Sequence, residues 1–87
     1  MNDVFMDENE RRCCAEWIDK YLKEHATKKA DSYVMKHMFQ HMTGIYASDA
    51  EFKDVMRECG FEPIENTESI FNVKVDRVVI QNVYYKK

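Results

Sequence analysis

The stretch FNVKVDRVVIQNVYY, residues 71–85, decides what kind of fold this chain can adopt. Phe71, Val73 and Val75 alternate with Asn72 and Lys74, the period of two expected of a half-buried strand. Residues 78–85 are rich in β-branched and aromatic side chains, which suit a pleated surface. Pro63 breaks any helix before this stretch, and Asn66, Thr67, Glu68 and Ser69 form a turn cluster. Everything after Phe61 therefore predicts two or three antiparallel strands in hairpin order.

Upstream the period changes. Phe52, Val55, Met56 and Cys59 recur at helical spacing, Ser48 with Glu51 forms a capping box, and Gly60 marks the stop. Phe61 can then fold back on the last turn. Met35, Met38, Phe39 and Met42, with Val34 beside them, form the stripe of a preceding helix, started by Asp31 or Ser32 and ended by Gly44. Residues 7–26, DENERRCCAEWIDKYLKEHA, read as the first helix. Asp7 and Glu10 have capping-box spacing there, and Cys14, Trp17, Ile18, Tyr21 and Leu22 make one stripe. Residues 26–32, ATKKADS, lack periodicity and predict a loop. The sum is an α+β fold, three helices followed by an antiparallel β-hairpin or small sheet, which is winged-helix-like. Ile45, Tyr46 and Ala47 could add a short strand to the hairpin. A helical pair packed on a small sheet, with no nucleic-acid role, fits the same pattern.

Size and composition narrow the class. A chain of 87 residues with 45% hydrophobic residues, two glycines and one proline is one domain, residues 1–87, not a disordered tail. No apolar run approaches the roughly 20 residues of a membrane span. The acidic start MNDVFMDENERR lacks the features of a signal peptide, so the expected location is cytoplasmic. Three cysteines, two of them adjacent, do not form a disulfide framework and read as small apolar residues. The net charge of −3 conceals alternation: residues 1–19 carry −4, 20–47 carry +3, 48–69 carry −5 and 70–87 carry +3. A fold that gathered these blocks would present one basic and one acidic face.

The residues Ser32, Tyr33, Lys36, His37, Gly44, Tyr46, Phe52, Met56, Gly60, Phe61 and Phe71 to Val73 form a run. It resembles small proteins of phages and integrated mobile elements in Firmicutes, with the pattern SYxLKH…GxY…F…M…GF…FNV. The resemblance covers roughly residues 32–75. A looser likeness, through Phe52, Gly60 and Phe61, is to the winged-helix module of viral and phage-type helicase-primases. The resemblance implies a mobile-element origin with nucleic acid or host machinery as partner, and it carries no catalytic residues.

Chemistry-bearing patterns are few. His37 and His41 stand four apart and would share a helix face, but Met38 occupies the place of the general base in a zinc-protease motif. No Gly-rich phosphate loop or nucleophile elbow is present, so the expectation is a non-enzyme without cofactor or metal. Across residues 48–59, four acids against two bases leave −2, which opposes insertion of that helix beside phosphates. The candidate nucleic-acid contacts are instead Lys28, Lys29, Lys36 and His37 around the second helix, and Lys74, Arg77, Lys86 and Lys87 on the hairpin and tail. Tyr46, Tyr84 and Tyr85 are available for stacking. The alternative is a small acidic inhibitor or adaptor, of the anti-CRISPR or other anti-defence type. It would use Asp49, Asp54, Glu58 and Glu62 against a basic host protein. A third option is a homodimer through the exposed edge of the last strand.

Overall fold

Where local signals are strong, the chain follows them. The computed structural model describes residues 5–84. Helix α1 spans Glu8–Tyr21 and begins with a complete Asp7/Glu10 capping box. Helix α2 spans Ser32–Thr43, with Asp31 accepting from the Tyr33 amide and Gly44 at φ 77° ending it. Helix α3 spans Asp49–Glu58 under the Ser48/Glu51 box. Its end is a Schellman closure: the Phe61 amide donates to the Met56 carbonyl (3.0 Å) and the Gly60 amide to Arg57 (2.9 Å). Gly60 takes φ 96°, a conformation that side chains with a Cβ resist.

The three helices close on an aromatic centre. Trp17 meets Phe39 and Phe52 edge-on at 5.5 and 6.3 Å between ring centroids. Met35, Val55, Met56 and Cys14 fill the space around them. Cys14, Trp17 and Ile18 of α1, Met35, Met38 and Phe39 of α2, and Phe52, Val55 and Met56 of α3 are all buried, as their stripes require.

Beyond the helices, the order is not three helices and then a hairpin. Strands β1 (Leu22–Glu24) and β2 (Ala30–Asp31) interrupt the helices, and β3 (Ile70–Phe71) and β4 (Val73–Val75) return to pair with them. The ladders β1–β4 and β2–β3 are both antiparallel. The expected hairpin between residues 71–75 and 78–85 does not form among the described residues. The strand reading of residues 71–75 holds apart from a break at Asn72, with Phe71 and Val73 buried and Lys74 exposed. Its partner is the segment after α1, and that pairing ends α1 at Tyr21 because Leu22 is drawn into register with Val75.

Residues Arg77–Tyr84 form a fourth helix, α4. Asp76 starts it by accepting from the Val78 amide at 2.8 Å, an N-capping geometry. Val79, Ile80 and Val83 then share a face, and α4 packs on α2. Burial of that face outweighs the β-propensity of valine and isoleucine, which is only a context-dependent preference. The strand edge offered for dimerisation is therefore not there in residues 78–84. Ile45, Tyr46 and Ala47 are also not a strand, and run irregularly from Gly44 to the α3 cap. Tyr85, Lys86 and Lys87 lie outside the described residues.

Candidate nucleic-acid interface

The two small ladders lie end to end along one ribbon. Tyr21 to His25 pair with Asp76 to Asn72, the ends being closed by Asp76 N–H to Tyr21 O (2.8 Å) and His25 N–H to Asn72 O (3.0 Å). Pairing resumes at Ala30 with Phe71 and closes with Ser32 N–H to Ser69 O (2.8 Å). Asn72 alone separates β3 from β4, whereas residues 26–29 are looped out on the other strand. The ribbon therefore carries a four-residue bulge bearing Lys28 and Lys29. His25 braces it: Nδ1 accepts from the backbone amides of Thr27 and Lys28, each at 3.2 Å. That arrangement places the ring proton on Nε2.

Register also sets Lys23 directly opposite Lys74. Both side chains are exposed, while Leu22, Val73 and Val75 turn towards the core. Like charges facing each other across a ladder are unfavourable. Lys23 Nζ donates to the Asp19 carbonyl at the end of α1 (3.0 Å). No carboxylate lies within ion-pair distance of Lys23, Lys28, Lys29, Lys74 or Arg77 among the described residues.

These cations line adjoining grooves. Lys23, Lys74 and Arg77 border one of about 500 Å³ together with Val75, Asp76 and Ile80. Lys28, Lys29 and Lys74 border the next, of about 460 Å³, floored by Val34, Met38, Val73, Val75 and Ile80. Asp31 and Asp76 are the acids on these walls, and both carboxylates cap helix N-termini, where backbone amides hold them.

Of the residues singled out from sequence, Lys28, Lys29, Lys74 and Arg77 come together here. Lys36 does not. It is only 5% exposed, with Nζ 5.0 Å from the Tyr33 ring centre, 5.5 Å from the Tyr46 ring centre and 3.3 Å from Gln40 Oε1. Its charge is engaged inside the protein by two rings and an amide. His37 is exposed on the neighbouring groove between α2 and α4, with Tyr33, His41 and Tyr84. Among the described residues, no group of three or more His, Cys, Asp or Glu is placed to hold a metal ion. Lys23 and the bracing role of His25 were not singled out in the sequence, and Tyr33 entered there only through the resemblance. Lys23 becomes visible only once it leaves the helix for the ribbon.

The acidic candidates have a different setting. Asp49 accepts from Ser32 Oγ (2.8 Å) and pairs with Lys53 (3.3 Å). Asp54 pairs with Arg57 (3.4 Å) and Glu58 with Arg11 of α1 (2.8 Å). Glu62 is exposed beyond the Schellman turn. Glu51 is buried and takes the Met6 amide at 2.8 Å, besides closing its capping box.

The thiols sit beneath this helical surface. Burial pushes Cys14 up to about 12, and the nearby Cys59 and Cys13 add to the rise. Burial, then Asp19 and Glu58, raise Cys59 as well. Neutral thiols of this kind are poor nucleophiles. No helix among the described residues is long and apolar enough to cross a membrane. No family model, curated protein or solved structure matches the chain.

Proposed function

We propose that this chain is a non-enzymatic accessory protein that binds nucleic acid through the basic ribbon. One observation carries the reading. Lys23, Lys28, Lys29, Lys74 and Arg77 gather on contiguous grooves with no carboxylate at ion-pair distance among the described residues, although the protein as a whole is acidic. Phosphates would relieve the Lys23–Lys74 opposition and release counterions on binding. The phage or mobile-element origin belongs to the proposal through the sequence resemblance alone.

Electrophoretic shift or anisotropy at low and moderate salt tests it. Binding should weaken steeply with salt, and Lys74→Ala with Arg77→Ala should lower the salt slope by about 2, one phosphate contact each. No binding even at low ionic strength would sink the reading. The alternative, an acidic inhibitor of a basic host protein, is less well supported because Asp49, Asp54 and Glu58 already have cations beside them. Its own test is capture of a basic partner that Asp54→Lys with Glu58→Lys abolishes.

A further inference from the structure

The lysine-lined grooves do not end at the ribbon. The groove holding Lys28, Lys29 and Lys74 shares Val34 and Met38 with a third, of about 420 Å³, that runs between α2 and α4. Its walls are Tyr33, His37 and His41 on α2 and Val83 and Tyr84 on α4. Tyr33 is 57% exposed and Tyr84 59%. Cations thus occupy one end of a continuous track and aromatic rings the other.

Tyr33 is held as a platform rather than left loose. The Lys36 ammonium lies over its ring at 5.0 Å, and the His37 ring meets it edge-on at 4.5 Å between centroids. Lys36 is itself buried and tied to Gln40. The ring is therefore anchored through Lys36, yet more than half its surface stays open. A cation pressed against a tyrosine also leaves it well suited to stack with a further π-face.

Resting on the nucleic-acid reading above, we infer that the ligand is single-stranded. Unpaired bases would stack on Tyr33 and Tyr84 while their phosphates pass Lys28, Lys29, Lys74 and Arg77. A duplex hides its base faces, so it could use the cations but not the rings. The eight residues of α4 rise about 12 Å, space for about three or four nucleotides at ~3.4 Å stacking distance.

Anisotropy with a labelled oligothymidylate, an oligouridylate and a duplex of equal length tests the assignment. Single strands should bind about tenfold or more tighter than the duplex. Tyr33→Leu with Tyr84→Leu keeps apolar bulk but removes the π-faces. It should cost single-strand affinity about tenfold or more and duplex affinity far less. Circular dichroism checks that this variant is folded. Tyr84→Leu alone, on an exposed site near the end of α4, should cost about fivefold and keeps the test valid if the double variant unfolds. Duplex binding as tight as single-strand binding, or unreduced single-strand affinity in folded Tyr84→Leu, overturns the single-strand assignment alone. Absence of binding to all three probes at low salt overturns the basic-groove reading with it.

Discussion

The α3 surface and the ribbon carry their charges in opposite ways. On α3, Asp49, Asp54 and Glu58 each stand within 3.4 Å of a cation, and buried Glu51 holds both its own cap and the Met6 amide. On the ribbon and at the adjoining start of α4, five cations have no such partner among the described residues, and two of them face each other across a ladder. Exposed ion pairs contribute little each, so the pairing on α3 is not what holds the protein together. It does show that α3 answers its own exposed acids locally, whereas the ribbon leaves its lysines without such an answer. A surface answered from within is scaffold, and one left open is available to a ligand. The contrast predicts that stability and binding separate under mutation.

The largest effect on stability should come from the core beneath α3. Phe52→Ala removes a fully buried ring packed on Trp17 and Phe39, at a cost of about 3–5 kcal/mol in urea unfolding. Protein that remains folded should still bind nucleic acid, because Phe52 touches none of the grooves. A second test uses pH. Folding favours the neutral Cys14 thiol, so its contribution is fully present below pH about 9. It is lost as pH rises towards about 12, since the unfolded chain ionises first. Thermal melts of Cys14→Ala and the parent across that range should converge or cross if the account is right. A constant offset between them would contradict it. Glu51→Ala comes third. It strands the Met6 amide and opens the capping box, an expected loss of about 1–3 kcal/mol with unchanged nucleic-acid affinity.

These effects fall on parts of the fold that short-range sequence already showed. Ser48 with Glu51, Asp7 with Glu10, and Gly44 and Gly60 act on amides or carbonyls a few residues away, so their roles were readable from spacing alone. The ribbon was not, because Leu22 finds Val75 across more than fifty residues and nothing near Leu22 announces the pairing. The segment after Asp76 misled for another reason. Val79, Ile80 and Val83 have helical spacing, but short β-branched runs suit both states until burial on α2 decides. At the site, the bases Lys28, Lys29, Lys74 and Arg77 were visible as charges, whereas their convergence depends on that distant register. Lys36 is the converse case: Tyr33 and Gln40 lie three and four residues away on the same helix, but capture of its charge also needs Tyr46 from the following loop.

The smallest expected change in stability is the sharpest test of the contrast. Lys74→Glu puts a carboxylate opposite Lys23, turning an unfavourable cross-strand pair into a favourable one. Stability should therefore rise, by about 0.2–1 kcal/mol. The same substitution takes a cation out of both basic grooves and adds an anion, so nucleic-acid affinity should fall while the melting temperature climbs. The reverse change on α3, Asp54→Lys, sets a cation near Arg57 and should lower stability slightly without weakening the binding. Opposite signs at the two sites would mean that the ribbon tolerates an electrostatic defect for the sake of a ligand. A loss of stability from Lys74→Glu would instead make Lys74 a structural residue and remove the ground for treating the two surfaces differently.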